Sequence, residues 1–409
     1  MDLLLKPSIV KNKSDIQISG SKSETNRLLL LQALYPNLIL ENTSNSDDSE
    51  VMTKALSSSD AVKDIHHAGT AMRFLTAYFA VQEGVEVLLT GSSRMQERPI
   101  KILVEALRQL GADIHYETNE GFPPLRIKGK KLLQYEVTLP ADVSSQYISA
   151  LLLIAPKLEN GLKLTLEGKI TSIPYIQMTL SILEALGFSI SFEKQVIEVN
   201  PQVAIQDSKF VIESDWSSAS YFYSIVALSE IGTEIRLLSY KENSLQGDRI
   251  LTEIYKNFGV ETLFQNNTIL LRKTHDCELS TVSFQLNDSP DIAQTIAVTC
   301  LGLGVGCYLN GLHTLKIKET DRLEALKNEI VKLGGVISVT SDSLTLQPFS
   351  EVKGKIAIKT YQDHRMAMAF APLALKVPIG IEEAEVVSKS YPNFWSDLKS
   401  IGFQIIEVN

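Results

Sequence analysis

The stretch 318–334, KETDRLEALKNEIVKLG, contains the pattern on which the predicted fold rests. Apolar residues recur at helical spacing from Leu323 to Leu333, and Thr320-Asp321 just before them is typical of a helix N-terminus. Gly334 follows the last apolar position, where a residue after a helix commonly takes the left-handed conformation that glycine tolerates. The stretch therefore predicts a helix that ends in a glycine turn and leads into a strand.

The same ending, an apolar helix tail followed by glycine and a strand, recurs along the chain. The five glycines are Gly111, Gly187, Gly259, Gly334 and Gly402, spaced 68 to 76 residues apart. A degenerate copy at 52–57 lacks the glycine. Six units of nearly 70 residues would fill the 409-residue chain, each large enough for two helices and several strands. A coincidence of common helix-to-strand loops is the alternative explanation.

The composition limits the class of protein. With 44% hydrophobic and 21% charged residues, the chain is typical of a soluble protein of two or three domains. A net charge of −9 argues against a nucleic-acid partner. The three cysteines form no CxxC pair, which favours a reducing cytoplasm over disulfides or a metal site. No signal peptide is expected at Met1–Pro7, and the uncharged stretch 292–315 predicts a buried helix rather than a membrane span.

The charged residues at 318–322 predict a site. On a helix, Lys318 and Arg322 would share one face beside Glu319, after a strand ending at 315–317. Two cations and a carboxylate at a helix terminus suit the binding of an anion and the movement of a proton. A solvated face of ion pairs would give the same pattern.

Other helix starts carry similar groups. The segment Gly20–Arg27 follows a strand and opens a helix, but it lacks the order of a Walker A loop, so a simple capped helix is equally compatible. Small residues at His67–Arg73 suit close approach of the backbone to a ligand. Ser144–Tyr147 and Ser172–Tyr175 offer hydroxyls at helix starts, and Asp291 after Pro290 has the position of an N-cap.

Seven cations lie at helix or loop starts in this acidic chain. They are Lys22, Arg27, Arg98, Lys318, Arg322, Arg365 and Lys389. Such an arrangement would focus a positive potential on small, multiply charged substrates. The sequence contains no GxSxG, HExxH or GxGxxG pattern, so hydrolase, zinc and dinucleotide functions lack support.

Seven motifs, taken together and in this order, resemble one family. They are GSKSxxNR at Gly20, AGTAMR at Ala68, RMxERP at Arg94, SSQYxSALL at Ser144, SSASYF at Ser217, KETDR at Lys318 and YxDHRMAM at Tyr361. The chain is similar in these blocks to the 5-enolpyruvylshikimate-3-phosphate synthases of the enolpyruvyl transferase family. The blocks run from Gly20 to Pro392, almost the whole chain.

The resemblance implies an α/β fold with two domains, an inside-out α/β barrel of six βαβαββ units, three in each domain. It implies one discontinuous domain, 1–20 plus 214–409, and a second, 21–213, with the active site in the cleft between them. It also implies phosphoenolpyruvate and shikimate 3-phosphate as substrates, no cofactor and no metal. A cytoplasmic monomer without nucleic-acid or membrane partners is expected.

The site residues are likewise implied by the resemblance. Asp291 would accept a proton, Glu319 would donate one, and Lys22 would assist in catalysis. Shikimate 3-phosphate would contact Lys22, Ser23, Arg27, Ser144, Ser145, Gln146, Ser172, Asp291, Thr314 and Lys318. Phosphoenolpyruvate would contact Lys22, Gly69, Arg98, Gln146, Arg322, Arg365 and Lys389. Glyphosate would compete at this second site.

Two alternatives remain open. The sister enzyme that acts on UDP-N-acetylglucosamine has a lysine-asparagine pair and a reactive cysteine, whereas this chain has Lys22-Ser23 and no cysteine before Cys277. A non-catalytic anion-binding relative is disfavoured, because Asp291 and Glu319 are both present beside the cations. His67 and Phe74 depart from the family's usual asparagine and proline.

Overall fold

The computed structural model describes residues 1–142, 144–168, 170 and 173–408. The α-helices are α1 (Lys22–Leu34), α2 (Asp47–Ser57), α3 (Gly69–Ala80), α4 (Ser93–Gln96), α5 (Lys101–Gln109), α6 (Ser145–Ile154), α7 (Ile173–Ala185), α8 (Trp216–Leu228), α9 (Leu251–Ile254), α10 (Ala293–Leu303), α11 (Arg322–Lys332), α12 (His364–Phe370) and α13 (Phe394–Ser400). The 3-10 helices are Ala155–Lys157, Gly247–Ile250, Tyr255–Phe258, Pro290–Ile292, His313–Ile317, Ala371–Leu375 and Ala384–Lys389.

The strands form several small sheets rather than one large one. They are β1 (Asp2–Leu5), β2 (Ser14–Ile16), β3 (Leu38–Glu41), β4 (Val62–Asp64), β5 (Glu86–Thr90), β6 (Asp113–Tyr116), β7 (Leu125–Lys128), β8 (Glu136–Pro140), β9 (Leu162–Glu167), β10 (Ile190–Glu193), β11 (Val196–Val199), β12 (Ser208–Val211), β13 (Glu234–Leu238), β14 (Val260–Gln265), β15 (Thr268–Lys273), β16 (Thr281–Gln285), β17 (Gly306–Asn310), β18 (Ile337–Val339), β19 (Ser343–Leu346), β20 (Ile356–Ile358), β21 (Ile379–Ile381) and β22 (Ile405–Val408).

The chain divides into two compact units. Unit 1 comprises Met1–Ser19 and Glu213–Asn409, and unit 2 comprises Gly20–Ile212. Each unit has its own cluster of buried apolar side chains, so each buries its own hydrophobic core.

The repeating element is a βαβαββ module. In the module formed by β16, α10, β17, α11, β18 and β19, the first two strands are parallel, and β19 pairs antiparallel with both β17 and β18. The sheets β4-β5-β7-β6 and β8-β9-β11-β10 have the same connections. These modules confirm the predicted α/β fold class.

The N-terminal segment completes two sheets of unit 1. Strand β1 lies between β21 and β22 and pairs antiparallel with both. Strand β2 lies at the edge of its sheet and runs parallel to β13. Unit 1 therefore depends on strands from both ends of the chain.

The glycine turns explain the period seen in the sequence. All five glycines have left-handed backbones, with φ of 105° at Gly111, 86° at Gly187, 74° at Gly259, 98° at Gly334 and 113° at Gly402. The degenerate copy ends α2 at Ser57, and the next strand, β4, belongs to a different sheet from β3. The sheet containing β3 has only one other strand, β12. The glycine is thus missing at the helix whose following strand joins a different sheet.

Three buried helices pack together inside each unit, α1, α3 and α6 in unit 2 and α8, α10 and α12 in unit 1. Hydroxyl groups cross-link α8 to α10 on successive turns: Ser220 to Thr295 at 3.0 Å and Ser224 to Thr299 at 2.8 Å. The uncharged stretch 292–315 contains the predicted buried helix, α10. Within the described residues, no helix has the length and apolar character needed to cross a membrane.

Candidate active site

The 318–322 stretch has a different local structure from the one predicted. Asp321 caps α11, since its carboxylate accepts from the backbone N–H groups of Leu323 and Glu324. Because the helix begins only at Arg322, Lys318 and Glu319 lie outside it. The prediction that Lys318 and Arg322 share one helical face was therefore wrong. The strand expected before them is the 3-10 helix His313–Ile317.

Arg322 is the centre of the site in unit 1. Its side chain is 2% exposed, and each of its three nitrogens donates to a different carboxylate. Nε donates to Asp363 at 2.6 Å, Nη1 to Asp291 at 2.9 Å and Nη2 to Glu319 at 2.7 Å. The guanidinium thus fixes the positions of both predicted proton-transfer groups.

Asp291 lies in the 3-10 turn Pro290–Ile292, two residues before α10 begins at Ala293, and it is not the predicted N-cap. Its Oδ1 lies 3.5 Å from Lys318 Nζ, and its Oδ2 accepts from Arg365 Nη2 at 3.1 Å. Arg365 Nη1 also donates to the backbone oxygen of Asp291, at 3.1 Å. Three cations therefore converge on this one carboxylate.

A second carboxylate lies beyond Arg365. Arg365 Nη2 is 3.4 Å from Ser217 Oγ, which in turn makes a short hydrogen bond to Asp248 Oδ2. Burial, followed by the charge of Asp291, raises the pKa of Asp248 to about 7. The structure thus joins Asp248 to Asp291 through Ser217 and Arg365.

The charges in this cluster support one another. Burial lowers the pKa of Arg322, but Asp363, Glu319 and Asp291 outweigh it and hold that pKa above its ordinary value. Burial raises the pKa of Asp363, and the charge of Arg322 opposes that shift. Burial also lowers the pKa of Arg365, but Asp291 and further charged neighbours hold it well above its ordinary value, so both arginines remain charged at neutral pH. The "unit 1 cluster" consists of Ser217, Asp248, Asp291, Lys318, Glu319, Arg322, Asp363 and Arg365.

Two further predicted residues belong to unit 1. Lys389 Nζ donates to the backbone oxygen of Gln362 at 2.7 Å, next to Asp363 in the chain. The hydroxyl oxygen of Thr314 is buried and has no hydrogen-bond partner among the described residues. The structure brings Lys389 to the turn that precedes Arg365.

In unit 2, the start of α1 has the expected cap. The hydroxyl of Ser21 accepts from the backbone N–H of Glu24, and Lys22 Nζ lies 3.4 Å from Asp48 Oδ2. Arg27 is buried and donates to the Ser23 backbone oxygen at 2.7 Å and to Thr179 at 2.7 Å. Arg27 also donates to side-chain and backbone oxygens of α6 and α7. Arg27 therefore connects the start of α1 to α6 and α7. Burial lowers the pKa of Arg27 to about 10.

Gly69 begins α3 directly against Arg98. A Cβ atom at Gly69 would lie 2.4 Å from Arg98 Nη1, so any side chain here would require the Arg98 guanidinium to move. Arg73 donates to the backbone oxygens of Gly69 and Pro99, and it fixes the Arg98 loop against α3. Gln146 Nε2 donates to Thr70 Oγ1 at 3.1 Å, which brings the start of α6 to the start of α3.

The serines expected to bind phosphate are only partly described. Ser144 is exposed and caps α6, since its hydroxyl accepts from the backbone N–H of Gln146 at 3.4 Å. Ser145 is the first residue of α6 and is 8% exposed. Ser172 lies outside the described residues.

Sequence reasoning left several residues of these clusters unassigned. Asp363 lies within the quoted YxDHR motif, and Ser217 begins SSASYF, but neither received a role. Asp248 is the second residue of the 3-10 helix Gly247–Ile250, and no local sequence pattern marks it as a site residue. Arg73, which ends AGTAMR, was visible only as part of the motif. In the described part of the chain, no group of three or more His, Cys, Asp or Glu side chains could hold a metal.

Comparison with known proteins identifies the family. The family model for EPSP synthase (3-phosphoshikimate 1-carboxyvinyltransferase) matches residues 49–398. A 3-phosphoshikimate 1-carboxyvinyltransferase of Bacteroides fragilis is 49% identical over 408 residues, which cover 98% of each chain. One of Haemophilus influenzae is 34% identical over 420 residues, covering 94% of this chain and 96% of the relative.

A solved structure of EPSP synthase from Acinetobacter baumannii is similar in fold. Its TM-score is 0.82 at 19% identity, over 99% of this chain and all of the other. The structural likeness agrees with the modules described above, and the two sequence comparisons extend over nearly the full length. The chain belongs to the EPSP synthase (3-phosphoshikimate 1-carboxyvinyltransferase) family of enolpyruvyl transferases.

Proposed function

We propose that Asp291 and Glu319 are the proton-transfer groups of this enzyme and that the surrounding cations bind its anionic substrates. The reaction transfers the enolpyruvyl group of phosphoenolpyruvate to the 5-hydroxyl of shikimate 3-phosphate and releases phosphate, a step of the shikimate pathway. Both substrates carry a phosphate and a carboxylate. Charge-assisted hydrogen bonds from arginine and lysine are therefore the natural means of binding them.

The observation that carries the proposal is the position of Arg322. One buried guanidinium donates to both Asp291 and Glu319, so the two carboxylates are held at a fixed separation. Cations alone could bind both substrates, but the chemistry also requires two groups that exchange protons.

The steps follow from the bonds that change. Glu319 protonates C3 of phosphoenolpyruvate, and positive charge develops at C2. The 5-hydroxyl oxygen attacks C2 while its proton passes to Asp291, which gives a tetrahedral intermediate. The intermediate then returns a proton from C3 to Glu319 and expels phosphate from C2, which takes the proton held by Asp291; the double bond and both proton-transfer groups are thereby restored.

Residues of unit 2 also fit the binding of shikimate 3-phosphate and phosphoenolpyruvate. Ser144 and Ser145 lie at the N-terminus of α6, where their hydroxyl groups and the helix dipole favour a phosphate. Arg27 holds Ser23 in place by donating to its backbone oxygen. This bond supports a positioning role for Arg27 in addition to any direct contact with the substrate. Arg98 beside Gly69 supplies a cation for phosphoenolpyruvate.

The proposal is tested by phosphate release with Asp291→Asn and Glu319→Gln. Each variant keeps size and hydrogen bonding but loses proton transfer, so we expect kcat to fall ~10²–10⁴-fold while KM changes little. Glu324→Gln is the matched control, since Glu324 lies on α11 and pairs with Lys327 at the surface. If Asp291→Asn kept near-normal kcat, the proposed proton transfer by Asp291 would be refuted, and only its ion pairs would remain as a role.

The same assay separates the alternatives. Phosphate release that requires shikimate 3-phosphate, and is absent with UDP-N-acetylglucosamine, supports the assignment. We also propose that the chain acts as a monomer in the cytoplasm; its free cysteines Cys277, Cys300 and Cys307 support the cytoplasmic location. Light scattering during size-exclusion chromatography tests the monomer, and a mass of twice the chain's 45.3 kDa would contradict it.

A further inference from the structure

The turn before Arg365 has an unusual backbone. Tyr361 and Gln362 are consecutive non-glycine residues with φ of 55° and 59°, in the left-handed region that L-residues rarely adopt. Asp363 follows directly; it holds Arg322 through one oxygen and caps α12 at the Arg365 N–H through the other. Such strain persists only where surrounding contacts maintain it.

A fully buried carboxylate holds one side of this turn. Glu329 lies on α11, seven residues after Arg322, and has no exposed surface. Its Oε1 accepts from the Tyr361 hydroxyl at 2.7 Å, and its Oε2 accepts from Lys332 Nζ at 2.7 Å and from the Lys359 backbone N–H at 3.2 Å. Burial, followed by Glu329, raises the pKa of Tyr361 to about 12, so its hydroxyl is a donor at neutral pH.

The other side of the turn is held by contacts to Gln362. Lys389 Nζ donates to the backbone oxygen of Gln362, and the Gln362 side-chain amide donates to Glu383 Oε2 at 3.0 Å. Glu329 thus joins the strained turn to α11. Because α11 begins with Arg322, this contact and the Arg322–Asp363 ion pair connect the same two segments at two points.

We propose that Glu329 and Tyr361 form a positioning pair that sets the placement of Arg322 and Arg365 for binding phosphoenolpyruvate. The pair touches no substrate and acts through the turn. The proposal rests on the proposed assignment of these arginines to phosphoenolpyruvate. Fixing two guanidinium groups before the ligand arrives lowers the cost of binding it.

Tyr361→Phe is the sharpest test, because it removes one hydroxyl and keeps the ring. We expect KM for phosphoenolpyruvate to rise roughly 3- to 10-fold, while KM for shikimate 3-phosphate stays within twofold. Tyr223→Phe is the matched control. It removes a buried hydroxyl of the same unit, bonded to Thr262 at 2.8 Å, and should leave both KM values unchanged.

Glu329 supplies a rescue experiment. Glu329→Gln keeps an oxygen that can accept from the Tyr361 hydroxyl, so its KM for phosphoenolpyruvate should lie closer to wild type than that of Glu329→Ala. A purely structural role predicts instead that both KM values follow thermal stability in all four variants. That result would overturn the proposal.

A binding measurement without turnover separates this proposal from the proposed function. Inorganic phosphate should raise the melting temperature of the wild type, and the same concentration should raise that of Tyr361→Phe less. A wild type that releases no phosphate from the two substrates would refute the function alone. Equal stabilisation of wild type and Tyr361→Phe by inorganic phosphate, or equal KM values for phosphoenolpyruvate, would overturn the positioning role.

Discussion

Single atoms decide the geometry at the predicted phosphoenolpyruvate residues. A methyl group at position 69 would fall within 2.4 Å of the Arg98 guanidinium, so an alanine there must displace that cation. The sequence alone suggested only that a glycine allows a ligand to approach the backbone. The structure shows that the side chain already packed against this glycine is one of the predicted binding residues.

The buried carboxyl of Asp248 predicts a pH-dependent contribution to stability. Its pKa is raised to about 7 in the folded chain against about 3.9 in an unfolded one, so the folded state binds more protons between these values. Its contribution is fully present below about pH 4 and is lost as pH rises through about 7.

We therefore expect the melting temperature of Asp248→Asn, measured relative to that of the wild type, to rise between pH 5 and pH 8. Differential scanning calorimetry at several pH values measures this difference. An offset between the two proteins that does not change with pH would show that Asp248 is as readily ionised in the folded chain as in the unfolded one.

At the scale of elements, some boundaries could be predicted and others could not. The glycine turns were visible because their left-handed backbone favours one residue type, and Asp321 was visible because caps favour a few. The 3-10 helix His313–Ile317 was mistaken for a strand, since a short apolar run has no period that separates the two. Asp291 has the sequence of a cap, but tertiary contact with two arginines decides its position.

The contacts within the site were beyond sequence reasoning for a related reason. The motifs named most of its residues, but the Arg322–Asp363 pair joins residues 41 apart, and Ser217–Asp248 joins residues 31 apart. Such pairings depend on how modules pack against one another. Local patterns contain no record of that packing.

A buried lysine links two helix ends in unit 1. Lys273 is 1% exposed, and its Nζ donates to the backbone oxygens of Ala227, in the last turn of α8, and of Phe258, at the end of a 3-10 helix, both at 2.9 Å. These carbonyls have no partner within their own helices. The side chain thus satisfies helix ends from two elements at once.

Lys273→Met should destabilise the protein by about 2–4 kcal/mol, because it leaves buried carbonyl groups unpaired. Lys256→Met is the control; that exposed lysine pairs with Glu253, and its loss should cost under about 1 kcal/mol. Urea denaturation measures both. Equal effects of the two substitutions would contradict a role for Lys273 in capping.

At the scale of the whole molecule, the two units differ in how they are assembled from the chain. Unit 2 is continuous from Gly20 to Ile212 and contains all strands of its sheets. Unit 1 requires β1, which occupies an interior position between β21 and β22. Without β1, both neighbours would lose a full ladder of hydrogen bonds.

We expect a fragment of residues 20–212 to unfold cooperatively on heating, since its core and sheets are complete. A fragment of residues 213–409 should lack cooperative unfolding until a peptide of residues 1–19 is added. Circular dichroism with and without the peptide measures this. Cooperative melting of the 213–409 fragment alone would show that β1 is dispensable.

The interior position of β1 also has a consequence for biosynthesis. At roughly 5–20 residues per second, a ribosome needs on the order of 20–80 seconds to make the stretch from β1 to β22. Strand β1 therefore waits through nearly all of that time for both of its partners, β21 and β22. During that time unit 2 can fold, whereas the apolar strand β1 stays unpaired and accessible to chaperones or to aggregation.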